Sequence, residues 1–222
     1  LTQREGRGVV LEAYIEGIPD ILCTAPVSDP KTKTGAIDFD GLNDYIACGT
    51  NTALVNLPDW TICAWVKADT VDVTVRTIAG ARGAGGNGYR VRHTSSSIAV
   101  EYSNAGGIQT IDLPPVLVVG AWTYVAVSCG GNTKTVIRSV IGDTDYNIAA
   151  AAVTRANRTS FTAGQNFEIG GAPTVGAHYF DGRIGYVAVF NRALTNKEMR
   201  RVKYRMLTKA WGNDDTTGLW DV

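Results

Sequence analysis

Hydrophobic and polar residues alternate in short runs along most of this chain, and clusters of Gly, Asn and Asp separate the runs. Alternation with period two marks a strand with one buried face, and such clusters mark turns. In the first run Val9, Leu11, Ala13 and Ile15 interleave with Val10, Glu12, Tyr14 and Glu16. Gly17-Ile18-Pro19-Asp20 then reverses the chain, and Ile21 to Thr24 is expected to pair back as a hairpin. Residues 26–34 are polar and read as a linker. From Gly35 onward the pattern predicts strands at 36–40, 44–48, 61–68, 74–80, 88–93, 97–103, 108–113, 122–129, 134–141, 166–170 and 184–190. Many short strands followed by a single late helix predict an all-β protein, an antiparallel β-sandwich with one short C-terminal helix.

The segment from Tyr179 to Arg201 constrains the fold most. Asp181-Gly182 is expected to form a turn pair. Between Ile184 and Phe190 strict alternation puts Ile184, Tyr186, Ala188 and Phe190 on one face and Gly185, Val187 and Val189 on the other. Neither face carries a charge, so the strand is expected to be buried on both sides. Thr195-Asn196-Lys197-Glu198 is a capping box: the Thr hydroxyl accepts from the backbone N–H at 198, and the Glu carboxylate reaches back to the N–H of Thr195. Met199, Val202 and Met206 form a narrow apolar stripe amid Arg200, Arg201, Lys203 and Arg205, which read as a solvated face. The tail contains Trp211, Leu219 and Trp220 and is expected to pack back on the body.

A chain of 222 residues with 45% hydrophobic content is the size of one β-rich domain. A formal net charge of +0 argues against nucleic acid as a partner, because neutralising phosphates needs a basic excess. No apolar run reaches the roughly 20 residues of a membrane helix, and no signal peptide is visible. Cys23, Cys48, Cys63 and Cys129 lack the short spacing of a zinc or redox site. Reduced core thiols are the expectation, with one or two disulfides as the alternative.

Five motifs, GAIDFDGLNDYIAC, WTICAWVKAD, GAWTYVAVSCGG, FEIGG and FDGRIGYVAVFNRALTNKEM, follow in that order over residues 35–202. Together they resemble a laminin G-like jellyroll domain of the concanavalin A-like lectin/glucanase superfamily. Asp40-Gly41 and Asp44 match that family's "DG…DY" turn, Trp65 and Trp122 its two core strands, and Asn191-Arg192-Ala193-Leu194 its pre-helix turn. The resemblance implies two stacked antiparallel sheets, one concave. The chain is expected to divide into an N-terminal β arm and linker at 1–34, which lies outside the resemblance, the jellyroll at 35–207 and a tail at 208–222. The resemblance also implies glycan binding, protein recognition, or an accessory role in a larger extracellular or virion protein. Where the family usually has Asp after the isoleucine of its last strand, this chain has Gly185. A calcium site built from Asp40, Asp44 and Asp181 is therefore an open alternative to turn-building aspartates.

Hydrolases on this scaffold resemble one another in a Glu-x-Asp-x-Glu run, which the chain lacks. Asp38/Asp40 and Asp143/Asp145 read as turn acids. His93 with Ser95 to Ser97 makes no nucleophile elbow, and two histidines are too few for the usual zinc centre. Gly83 to Gly88 fits G-x-G-x-x-G but precedes a strand, so it reads as a hairpin tip. Asn157-Arg158-Thr159 is a glycosylation sequon. The expectation is thus no enzyme but a binding module, with glycan or protein partners and no nucleic acid or membrane. The alternative is a structural or virion protein that forms homo-oligomers through its arm. Alternation places Arg90, Arg92 and Glu101 on one open sheet face, where planar guanidinium groups suit sugar hydroxyls. Tyr102, His178 or Tyr179 would provide the aromatic platform. Gly170 to His178 is a second candidate loop.

Overall fold

The structure, a computed structural model, describes residues 8–13, 21–26, 36–50, 52–55, 57–83, 87–95, 97–104, 107–114, 117–131, 135–149, 165–176 and 178–210. Fourteen strands are present among them: β1 (Gly8–Ala13), β2 (Ile21–Pro26), β3 (Ala36–Asp40), β4 (Ile46–Ala47), β5 (Trp60–Ala68), β6 (Arg76–Arg82), β7 (Gly88–Thr94), β8 (Ser97–Asn104), β9 (Gly107–Leu113), β10 (Trp122–Gly130), β11 (Val136–Ile141), β12 (Thr144–Ala149), β13 (Glu168–Ile169) and β14 (Asp181–Phe190). Two helices join them, α1 (Thr52–Val55) and α2 (Asn196–Ala210). The turn at 17–20, the sequon at 157–159 and the tail from Trp211 lie outside the described residues.

Two six-stranded sheets build the body. One runs β12-β11-β10-β5-β14-β3, the other β4-β13-β6-β7-β8-β9, and every recorded pairing is antiparallel. β1 and β2 pair as the expected hairpin, Val9 opposite Ala25 and Ala13 opposite Ile21, in a two-stranded sheet of their own. β1 runs close to β14 without joining its sheet.

Alternation along the first sheet divides its residues between two apolar layers. Trp60, Ile62, Ala64 and Val66 of β5, with Val125 and Val127 of β10, face the other sheet and form the main core. There Trp60 stacks on Tyr89 with ring centroids 4.7 Å apart, and the Tyr89 hydroxyl donates to the carbonyl of Leu54. Cys63, Tyr124, Ala126 and Ala188 face outward and are covered by Met199 and Met206 of α2. The central strands are therefore buried on both faces, as their uncharged sequences require.

The capping box is formed: the Thr195 N–H donates to Glu198 Oε2 at 2.7 Å and the Glu198 N–H to Thr195 Oγ1 at 3.3 Å. Lys203 corrects the expected solvated face. It is buried between α2 and the sheet, its Nζ donating to Gly142 O at 3.0 Å and to Asp143, 5.9 Å from the centre of the Trp65 ring. Asp145 pairs with Arg200 at 2.7 Å, so the two supposed turn acids anchor the helix. Asp145 in fact lies on β12, a strand its polar sequence hides.

Two further findings concern packing. Trp65 of β5 lies under α2, and Trp122 of β10 is 39% exposed, although both strands are central. On β14 strict alternation fails at a bulge between Gly185 and Val187, where Tyr186 takes φ +32°. The extra residue returns Ile184, Val187 and Val189 to one core face, with Tyr186, Ala188 and Phe190 toward α2. Cys48, Cys63 and Cys129 are reduced, and burial pushes the Cys63 thiol up to about 12.

Candidate functional site

α2 covers the outer face of the first sheet. The outer face of the second carries the charged candidates, and register explains which side chains meet there. Arg90 of β7 lies opposite Glu101 of β8, Arg92 opposite Ala99, and Gly80 of β6 opposite Arg90. A Cβ at Gly80 would stand 2.4 Å from the Cα and Cβ of Arg90, so only glycine permits this approach of the two strands. Arg82, two residues along β6, shares that face.

Three guanidinium groups converge on one carboxylate. Glu101 Oε2 accepts from Nε of Arg82 at 2.9 Å and Nε of Arg90 at 2.8 Å. Its Oε1 accepts from Nε of Arg92 at 2.6 Å and Nη2 of Arg90 at 3.2 Å. Burial pushes the Glu101 carboxyl up, but hydrogen bonds and positive charge from Arg90, then Arg82 and Arg92, outweigh it and hold the group at about 2. Arg90 also donates through Nη1 to Thr77 Oγ1 at 3.0 Å. The same Nη1 lies 2.8 Å from Nδ1 of His178, which as acceptor must be the unprotonated ring nitrogen. Burial first, then the charge of Arg90, lowers the basicity of His178 and keeps it in that neutral form.

The two candidate regions are one place. The segment from Gly170 to His178, with a 3₁₀ turn at Pro173–Val175, runs beside β6. It meets the arginine cluster twice: Thr174 Oγ1 donates to Arg82 O at 3.0 Å, and His178 reaches Arg90. The face is consequently not the open one expected, for Arg90 is only 2% and Glu101 5% exposed. Arg82 and Arg92 are the half-buried members that border solvent.

Arg90, Arg92, Glu101 and His178 thus come together, whereas Tyr102 and Tyr179 do not join them. Tyr102 lies opposite Tyr89 in the register and its ring belongs to the core, since residues one step from Glu101 point to the other side of the sheet. Tyr179 packs instead on Tyr45, centroids 6.3 Å apart, above Gly171. Arg82 was missed because the strand was expected to end at residue 80, before the glycine-rich tip, whereas β6 runs on to Arg82; its alternation with Gly80 was the available signal. Glu168 of β13, opposite Gly80 on the other side, was also missed, and burial pushes its carboxyl up to about 7.

The remaining acidic and histidine candidates are engaged elsewhere. Asp40 Oδ1 accepts from the N–H groups of Leu42 and Asn43, and Asp44 Oδ2 from that of Asp40. Asp181 Oδ2 accepts from Thr70 at 2.6 Å and lies 3.9 Å from the buried guanidinium of Arg76. These three carboxylates do not converge as calcium ligands, and no group of three or more metal-binding side chains occurs among the described residues. His93 is a core residue: its ring meets Phe180 edge-on at 5.4 Å, both nitrogens lack partners, and burial lowers it to about 4. Asp38 pairs with Arg183 at 3.3 Å.

Two stacked antiparallel sheets in this order, closed by a capped C-terminal helix, define a jellyroll sandwich of the lectin type. The sequence model described as the concanavalin A-like lectin/glucanases superfamily, of laminin G type, matches residues 40–200, and the chain belongs to that family. No curated protein sequence matches it significantly. Among solved structures it is similar to the Ruminococcus gnavus IT-sialidase CBM40 bound to alpha2,3 sialyllactose, with 15% identity over 75% of this chain and 97% of that one and a TM-score of 0.53. The LG1-3 region of the laminin alpha2 chain shares 15% identity, covering 78% of this chain and 33% of that one, with a TM-score of 0.55. The botulinum neurotoxin serotype G binding domain shares 9%, covering 83% and 48%, with a TM-score of 0.56.

Proposed function

We propose that this chain is a non-catalytic binding module that takes a saccharide on the outer face of β6 to β8, within a larger secreted or virion assembly. The observation that carries the reading is the convergence of Arg82, Arg90, Arg92 and Glu101 beneath the 170–178 segment, with guanidinium donors left over at its solvent border. Fixed planar donors recognise sugar oxygens at little entropic cost. The similarity to a module bound to sialyllactose supports the same reading. The test is a glycan array probed with the full chain and with Arg92→Gln. Saturable binding that the variant loses is expected, and an array with no signal overturns the reading.

A second reading rests on the separate β1–β2 hairpin. As a strand pair outside both sheets it suits contacts between subunits of an assembly. Light scattering of the full chain checks it, and a monomer across the micromolar range speaks against it.

A further inference from the structure

Three guanidinium groups share one carboxylate on β6 to β8, so the cluster holds two positive charges more than it neutralises internally. The bonding pattern fixes where the excess points. Each arginine gives its Nε–H to Glu101, which turns that edge of every guanidinium inward. Arg90 then spends Nη1 on Thr77 and His178 and one hydrogen of Nη2 on Glu101, which uses four of its five donors. Arg82 spends Nη1 on the carbonyl of Gly83 at 3.1 Å and has no partner for Nη2 among the described residues. Arg92 has none there for either Nη, so its outer edge is a vacant two-pronged donor.

The neighbouring acids do not fill these positions. Asp112 lies across Ala99 from Arg92 and accepts instead from Ser97 at 3.1 Å. Glu168 lies across Gly80 from Arg90 and makes no ion pair among the described residues. The side chains of Arg82 and Arg92 retain only 16% and 12% of their exposure, so little water screens them. A half-buried excess of positive charge presenting a planar fork suits a planar or tetrahedral oxyanion.

We infer that this cluster receives an anionic group of the saccharide, a carboxylate or a sulfate ester, with Arg92 and Arg82 as its contacts and Glu101 as the positioning residue that aims them. The inference rests on the saccharide-binding reading above and adds the charge of the ligand to it. Glu101 turns the guanidinium edges outward while leaving their charge in excess.

The experiment is titration calorimetry of the full chain with lactose, 3′-sialyllactose and lactose 3′-sulfate, alongside an array that carries neutral, carboxylated and sulfated glycans. Acidic glycans are expected to bind, and their neutral counterparts about ten- to a hundred-fold more weakly, the range set by charge-assisted hydrogen bonds. Arg92→Gln should erase that preference, and Arg92→Lys, which keeps the charge without the fork, should erase part of it. The carboxylated and sulfated arms identify which oxyanion is read. Because either variant could alter folding, thermal stabilisation by sodium sulfate over sodium chloride at equal ionic strength is measured on each folded protein. A larger sulfate response in the wild type than in Arg92→Gln supports the inference. Binding confined to neutral glycans, or an acidic preference unchanged in Arg92→Gln, overturns it while the saccharide reading stands. Silence on every glycan with equal sulfate responses overturns both.

Discussion

Replacing Glu101 by Gln removes the one carboxylate among three guanidinium groups while keeping the side chain's shape. Two routes give the cost. A carboxyl held at about 2 against an ordinary 4.5 contributes roughly 3 kcal/mol to the folded state. Removing one partner of a buried ion pair costs about 3–5 kcal/mol, because the opposite charge stays buried without compensation. The routes agree near 3–4 kcal/mol, which at about 2–4 °C per kcal/mol for a domain of this size lowers Tm by roughly 6–16 °C. The sign with pH follows from the depressed value. Glu101 contributes fully above pH 4.5 and loses its contribution as pH falls through 4.5 toward 2, so the gap between wild type and Glu101→Gln should be widest at pH 7 and narrow below 4.5. Urea unfolding at pH 7, 4.5 and 3, followed by tryptophan fluorescence, measures it. A variant within about 0.5 kcal/mol of wild type at pH 7, or a gap of constant size at all three values, would refute the reasoning.

Thr195→Ala should cost about 1 kcal/mol by removing the acceptor for the Glu198 N–H, and an unchanged Tm would mean that the cap does not hold α2. Trp60→Ala should cost about 3–5 kcal/mol, since Trp60 is 1% exposed and stacked on Tyr89 between the sheets; Trp65→Ala, which opens only the layer beneath α2, should cost about 2 kcal/mol. Equal losses from the two tryptophans in urea melts would contradict the layer assignment. His93, held at about 4, favours the folded state fully above pH 6.5 and progressively less as pH falls from 6.5 toward 4. His93→Leu should therefore be more stable than wild type at pH 5 and within about 1 kcal/mol of it at pH 7, and parallel pH profiles of the two proteins would rule this out.

Legibility of the fold divided along a physical line. Every predicted strand from Gly35 onward is present, because each is an apolar alternation cut off by turn residues, a signal that needs no distant contact. β12 escaped because Thr144-Asp145-Tyr146-Asn147 pairs along a sheet edge, with its acid tied to Arg200 of a helix far along the chain. The bulge at Tyr186 escaped for a related reason. A single inserted residue leaves an uncharged run looking regular, and only pairing with β5 reveals that Ile184 and Val187 share a face.

The candidate site was readable as far as register reaches. Alternation within β7 and β8 suffices to bring Arg90, Arg92 and Glu101 to one face, and the same alternation, applied without exception, puts Tyr102 in the core. What alternation cannot convey is burial, because the cover over this sheet comes through His178 and Thr174, 88 and 92 residues along the chain from the arginines they meet. That difference changes the chemistry. On an open face, three arginines beside a glutamate would form screened surface pairs contributing little. Under the 170–178 segment the same residues become an organised, electropositive cluster in which Glu101 orients donors it does not exhaust. The burial that organises this cluster therefore comes less from the residues of the sheet than from the segment packed above them.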